Sequence, residues 1–316
     1  MQGGLAPFFE SRYADPQNGG QAKRWEIGPV IGGRIKSPKE FVSALKTLVG
    51  DLQASVMFGA DARSRCRLGV DLVLSRLVRL VPTEWRNRVR EVRLRDDVKI
   101  LYRLNKGDLH SIREVWFQNA YWLPFDVPSG VLLDLGANIG MASVWLAKRY
   151  GLTRVISVEP DPDNAVLLAR NLKLNGIAHE VVQAAVGAKD GTSRFQFSEF
   201  SNLGRLSENG SLVSLISVGT IMKKFGLTDF SLIKIDIEGG EEDLFNNDAG
   251  WLVPTHAIII EFHSNVDCRR IVSLMSSEGF RYIPAHTLFP DNLPCFTRGV
   301  SVFTAKTERS VPTQRR

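Results

Sequence analysis

VLLDLGANIG, Val131–Gly140, decides the fold. Its first five residues form a short apolar run typical of a strand buried on both faces, interrupted only by Asp134. Gly136 and Gly140 follow, and MASVWLAKRY (Met141–Tyr150) then carries a helical pattern. A strand, a tight turn and a helix in that order open a doubly wound α/β sheet, whose ligands sit outside the carboxyl ends of the strands at the switch point. Gly136 suits a sharp turn with close backbone approach, and Gly140 a tightly packed helix start. The helix amino terminus offers free N–H groups and a partial positive charge to an anionic group.

Working outward, the same alternation recurs. VISVEP (Val155–Pro160), EVVQAAV (Glu180–Val186), LIKIDIE (Leu232–Glu238) and AIIIEFH (Ala257–His263) are short β-branched runs, separated by helical stretches such as DPDNAVLLARNLKLNG (Asp161–Gly176). Strands taking turns with helices imply a mostly parallel sheet covered on both faces.

The turn departs from the G-x-G-x-x-G of a nicotinamide dehydrogenase, because Asn138 stands where the middle glycine would be. An asparagine fills the space a pyrophosphate would take, yet it supplies a donor and an acceptor suited to a ligand with an amino acid end. Glu159 ends the second strand, 23 residues after Gly136, where an acid accepts ribose hydroxyls. Those features point to an adenosyl ligand other than a dinucleotide.

DLGANIG (Asp134–Gly140), VEPDPDN (Val158–Asn164) and IKIDIEGGEEDLF (Ile233–Phe245), in that order, resemble the FkbM-type S-adenosylmethionine-dependent methyltransferases. The similarity runs from about Val115 to Lys306, and KIDIEGGE is its most specific part. It implies the class I methyltransferase fold, a Rossmann-like, doubly wound seven-stranded sheet, mostly parallel, with a final antiparallel strand for which VSVFTAK (Val300–Lys306) is the candidate. It further implies that S-adenosylmethionine is the cofactor. Asp134, Gly136, Asn138 and Gly140 would surround its methionine part, Glu159 would bind the ribose, and Pro160 and Asp161 would lie beside the adenosyl group. Ala184 and Ala185, in a segment similar to the one flanking adenine, complete the set.

The ends of two strands carry charges that a central parallel strand has no reason to hold. In LIKIDIE a period of two sets Lys234, Asp236 and Glu238 opposite Ile233, Ile235 and Ile237, and in AIIIEFH Glu261 and His263 share a face. If these strands are neighbours, Asp236, Glu238, Glu261 and His263 converge near the sulfonium. S-adenosylmethionine brings an activated methyl group, so the protein need only align a nucleophile and manage its proton. At an ordinary pKa of ~6.5, His263 would serve as general base, with Asp236 or Glu238 orienting the acceptor, or one of them binding the cofactor's amino group. A divalent cation held by these carboxylates and His263 is chemically reasonable, but the residue pattern does not require a metal. An O-methyltransferase acting on a hydroxyl of a glycan, lipid-linked sugar or secondary metabolite is the favoured reading. An RNA methyltransferase and a non-catalytic S-adenosylmethionine-binding protein are the alternatives.

The remainder of the chain carries fewer signals. Residues 1–36 are irregular or partly disordered by composition, 37–110 read as a helical and β-hairpin extension, 111–309 as the methyltransferase domain, and 310–316 as a flexible tail. In the extension, SPKEFVSALKTLV (Ser37–Val49) is capped by Ser37 and presents Phe41, Leu45 and Leu48 on one face. Asp61–Val81 carries the stripe Leu68, Leu72, Val73, Leu77 and Leu80, and EVRLRDDVKILYRL (Glu91–Leu104) reads as a hairpin turning at Asp96–Asp97. Ser198–Ser211 reads as a long polar loop and a candidate lid. Among the 316 residues, residues 1–110 hold 20 Lys and Arg against 12 Asp and Glu, so the net charge of +6 is concentrated at the front. That face is interleaved with acids, so nucleic acid is not expected as a partner; peripheral membrane contact through the basic region stays open, as does the oligomeric state. No run approaches the ~18 apolar residues of a membrane span, and the start lacks the pattern of a signal peptide, which makes the cytoplasm the expected location. Cys66, Cys268 and Cys295 are too few and too scattered for a disulfide framework and read as reduced structural thiols.

Overall fold

The computed structural model describes residues 38–77, 80–104, 106–196, 205–206, 209–246, 250–263, 266–283 and 300–305. The expectations for residues 1–36, Ser37, Cys295 and residues 310–316 lie outside these, as does the side chain of Phe41.

Two helices open the described chain, α1 (Pro38–Phe58) and α2 (Ala62–Arg76). Asp61 caps α2 by accepting from the Ser64 N–H at 2.7 Å, and Leu68 and Leu72 of its apolar stripe are fully buried. The helix ends at Arg76, short of Val81, and Leu80 is exposed beyond it. α1 departs further from the pattern. Leu45 is exposed and Leu48 half-buried, while Thr47, Asp51 and Ser55 face inward. The reason is Asp51, whose buried carboxylate accepts from both Arg76 and Arg113 and fixes which face turns in.

After α3 (Thr83–Asn87), β1 (Arg90–Leu94) and β2 (Val98–Tyr102) form the expected antiparallel hairpin. Asp96 and Asp97 both take positive φ, 60° and 55°, as a two-residue turn matched to strand twist requires. α4 (Lys106–Ile112) then runs directly into a π-helical turn, Arg113–Phe117. The expected domain boundary at 110/111 therefore cuts through a continuous helical segment.

The remaining elements are β3 (Val131–Leu135), α5 (Met141–Tyr150), β4 (Arg154–Val158), α6 (Pro162–Leu174), β5 (His179–Val182), β6 (Ala185–Val186), β7 (Gly191–Gln196), β8 (Arg205–Leu206), β9 (Ser211–Ile216), α7 (Val218–Phe225), β10 (Phe230–Ile235), α8 (Glu241–Phe245), β11 (Thr255–Glu261), α9 (Cys268–Ser277), β12 (Phe280–Ile283) and β13 (Val300–Ala305). Seven of them make one sheet in the order β12-β13-β11-β10-β3-β4-β5, with β13 antiparallel to both neighbours and every other pair parallel. The final antiparallel strand lies where VSVFTAK places it. Alternate residues feed two cores: Leu132, Val155, Leu232 and Ile259 on one face, and Leu133, Ile156, Ile233 and Ile258 on the other.

A second sheet, β6-β9-β7-β8, was not foreseen. Arg205 and Leu206 pair antiparallel with Gln196 and Phe195, so part of the Ser198–Ser211 stretch is strand and not a free loop; 198–204 and 207–208 lie outside the described residues. Polar exposed positions on β7 and β9 hid its periodicity. Among the described residues no helix is long and apolar enough to cross a membrane. Cys268 is buried in the core, but Cys66 is exposed and so not a packing thiol.

Candidate functional site

The strand order reverses between β3 and β10, and the crevice beyond their carboxyl ends is the switch point. Register places Lys234 opposite Asp134 and Ile235 opposite Leu135. One residue on, the Asp236 N–H donates to the Leu135 carbonyl, which draws the two strand ends together. Gly136, at φ 76°, sits where any Cβ would lie 1.8 Å from the Asp236 carbonyl oxygen. Close approach at this glycine is thus to the neighbouring strand. Gly140, at φ 84°, begins α5, and its missing Cβ makes room for Leu168 of α6, as a tightly packed helix start demands.

Beneath the turn lies a buried ionic cluster. Asp134 is fully buried, accepts from the Ser143 hydroxyl at 2.5 Å and pairs with Lys234 Nζ at 3.2 Å. Lys234 also donates to the Gly136 carbonyl at 2.8 Å and pairs with Asp236 at 3.5 Å. Burial lowers the lysine's proton affinity, but Asp134 and Asp236 more than restore it, so the ammonium stays charged. Asp134 therefore supports the turn from below and does not present its carboxylate to the crevice.

Glu159 closes the adjoining side. Its carboxylate accepts from the backbone N–H of Asn138 at 2.7 Å and of Asp161 at 2.9 Å. Burial pushes its carboxyl up to about 7, while those two N–H groups hold it down. Asn138 takes left-handed backbone at φ 50°; its Nδ2 reaches Ser111 Oγ at 3.4 Å, and its Oδ1 is buried with no hydrogen-bond partner. An orphaned buried acceptor is costly unless a ligand donor meets it. Asp161 spends its own carboxylate capping α6, accepting from Asp163 and Asn164, and Pro160 is half-buried between them. Ala184 and Ala185 are buried just past β5, level with Glu159, whose N–H donates to Val182. The donor set fits S-adenosylmethionine: Asn138 Oδ1 for an ammonium, the Glu159 carboxylate for vicinal hydroxyls.

Opposite this wall stands an acidic rim. Glu238, past the end of β10, takes left-handed backbone at φ 52° and contacts His263 Nε2 at 3.2 Å; Asp236 lies 3.7 Å from the same nitrogen. His263 Nδ1 donates to Glu241 Oε1 at 2.7 Å, and the other Glu241 oxygen is buried without a hydrogen-bond partner. Glu261 completes the group, so Asp236, Glu261 and His263 offer ligand atoms all within 4.8 Å of one another. The four residues that the strand pattern places together do converge. Their protonation is another matter. Burial pulls the His263 pKa down, but the hydrogen bonds to Glu238 and Glu241 and the charge of Asp236 raise it to about 10. With these neighbours His263 is an imidazolium at neutral pH and cannot act as the neutral general base expected from an unperturbed value. Desolvation, then Asp236 and Glu114, push Glu261 well above the carboxylate range.

Five contributors were not assigned from sequence. Lys234 had a visible signal, a lysine in an otherwise apolar central strand. Glu241 stands in GGEEDLF, but nothing local says that it faces the histidine 22 residues later. Ser111, which meets Asn138, Glu114, whose charge acts on Glu261, and Tyr121 left no signal; Tyr121 is buried with Lys234 Nζ 5.9 Å from its ring centre.

Residues 134–282 match the methyltransferase FkbM domain. Methyltransferase 1 of Beauveria bassiana (strain ARSEF 2860) is 21% identical, the match covering 61% of this chain and 89% of that protein. Hexuronic acid methyltransferase AglP of Haloferax volcanii is 24% identical over 46% of this chain and 61% of its own length. Among solved structures, the methyltransferase FkbM from Methylobacillus flagellatus KT matches at 17% identity and a TM-score of 0.39, covering 83% of this chain and 60% of that one.

Proposed function

We propose that this chain, whose residues 134–282 match the methyltransferase FkbM domain, methylates a hydroxyl group of a glycan, lipid-linked sugar or secondary metabolite, using S-adenosylmethionine. The observation that carries the reading is the acid and imidazole rim across the crevice from Glu159 and Asn138. Bound S-adenosylmethionine supplies an electrophilic methyl group on a sulfonium. Glu159 would hold the ribose hydroxyls, Asn138 Oδ1 the ammonium, and Gly136 the backbone next to the methionine part. Asp236 and Glu238 would then orient the acceptor hydroxyl, and the carboxylate of Glu238 would take its proton as the C–O bond forms. His263, as a cation anchored by Glu241, positions Glu238 and offsets part of the crowded negative charge.

Two further observations support the acceptor class. The named activity of AglP is on a hexuronic acid. An acidic rim also opposes a polyanionic backbone, which weighs against RNA. The test is calorimetric binding of S-adenosylmethionine to the purified chain, followed by transfer of labelled methyl to uronic-acid oligosaccharides and hydroxylated metabolites. Binding and O-linked label are expected; absence of S-adenosylmethionine binding removes the reading, and label recovered on RNA alone replaces it.

A further inference from the structure

The rim holds more negative charge than its own cations balance. Among the described residues Asp236, Glu238, Glu241 and Glu261 are paired with Lys234 and His263 alone, and Lys234 is already committed to Asp134, Asp236 and the Gly136 carbonyl. Charges this close in a poorly solvated crevice must take up protons or a cation.

We propose that His263 Nε2 and the carboxylates of Asp236 and Glu261 form a binding site for a divalent cation of the manganese or zinc type. The three donor atoms lie within 4.8 Å of one another at the ends of neighbouring strands, so modest side-chain rotation brings them to the ~2.1 Å bonds of a first-row metal. The histidine is oriented as a ligand would be. Its Nδ1 is fixed on Glu241, a fully buried carboxylate, at 2.7 Å, so Nε2 is the nitrogen left facing the crevice, 3.2 Å from Glu238 and 3.7 Å from Asp236. Ligating histidines characteristically give their other N–H to such a carboxylate. The second Glu241 oxygen, buried and unpartnered, is an independent sign that the cluster is short of positive charge. A mixed set of one imidazole and two carboxylates suits manganese or zinc better than magnesium or calcium.

The cation's task rests on the methyltransferase reading above; its binding does not. Held at these three residues, it would leave the carboxylate of Glu238 free. An acceptor hydroxyl meeting the cation would release its proton to Glu238 more readily. The oxygen then takes the methyl group as the sulfur–methyl bond breaks and the sulfonium becomes a thioether.

The experiment uses the full chain stripped with a chelator, with free Mn²⁺ followed by electron paramagnetic resonance and S-adenosylmethionine binding measured separately by calorimetry. One Mn²⁺ per chain is expected. Asp236→Asn and Glu261→Gln should each lower the affinity at least tenfold, and Glu241→Gln by ~10–100-fold through the histidine. Circular dichroism on each variant checks that it folds, and Arg93, remote from the crevice, provides an Arg93→Gln control with unchanged affinity. No stoichiometric binding, or binding indifferent to all three substitutions in folded protein, overturns the site. Loss of S-adenosylmethionine binding with Mn²⁺ binding intact would instead overturn the cofactor reading and leave the metal site standing.

Discussion

Glu159 is the residue on which the cofactor reading can be tested most cleanly. Its carboxyl titrates at about 7 because burial favours the neutral acid more strongly than the Asn138 and Asp161 N–H groups favour the anion. Ribose hydroxyls donate to a carboxylate, so they bind the ionised form. The sign follows: affinity for S-adenosylmethionine is fully present above pH 7 and falls as pH drops below it, by up to about tenfold per unit. Glu159→Gln should bind more weakly throughout and lose this dependence. Calorimetry from pH 5.5 to 8.5 checks it, and a wild-type profile flat across 7 would show that Glu159 does not meet the ribose. That Asp236, Glu238, Glu261 and His263 come together was legible, because each sits at or just past a strand end where a charge is unusual. Their protonation was not. The pKa of His263 depends on Glu241, and no local pattern in the sequence brings that carboxylate to the imidazole.

At the scale of elements, the sheet was readable because burial on both faces leaves continuous apolar runs, and all six residues of β10 are buried. The turn after β3 was readable for a related reason: only glycine fits at 136. Gly136→Ala should cost on the order of 3 kcal/mol, combining left-handed strain with a Cβ driven into the Asp236 carbonyl. Gly151→Ala is the matched control. Its φ is 63°, but nothing lies within 4 Å, so only strain of ~1 kcal/mol is expected. Urea midpoints for the two variants decide, and equal losses would show that the contact with β10 does not matter. Lys234 belongs to the same joint. Lys234→Met leaves the fully buried Asp134 without its cation and should cost roughly 3–5 kcal/mol, seen as a lower thermal midpoint. A midpoint close to wild type would mean that the ammonium does not stabilise Asp134. The small second sheet was missed because its strands are mostly exposed, and an exposed strand has no apolar period to read.

Across the whole molecule, the front of the chain is not an appendage. The hairpin β1–β2 is bonded to α6 by two asparagines one helical turn apart. Asn171 Oδ1 accepts from the Leu101 N–H at 2.7 Å, while its Nδ2 donates to the Leu101 carbonyl at 3.0 Å and the Ile139 carbonyl at 2.8 Å. Asn175 does the same with Lys99, accepting at 3.0 Å and donating at 2.7 Å. Residues two apart on a strand expose their backbone groups on the same edge, so the helix completes the ladder as a further strand would. A span of 70 residues between partners leaves no trace in local sequence, which is why the extension read as separate. Asn171 also holds the Ile139 carbonyl, inside the Gly136–Gly140 turn, so the hairpin and the turn share one side chain. Asn171→Leu would leave three buried backbone groups unpaired, at roughly 1–3 kcal/mol each, and should destabilise the chain by about 3 kcal/mol or more. Asn175→Leu, at a half-buried position where water can substitute, should cost about 1 kcal/mol. Hydrogen exchange provides the decisive measurement. In Asn171→Leu the Leu101 amide should lose protection together with the amides of the Gly136–Gly140 turn, and S-adenosylmethionine affinity should fall with them. If Leu101 exchanges faster while the turn and the affinity stay as in wild type, the hairpin is docked to α6 without helping to shape the turn.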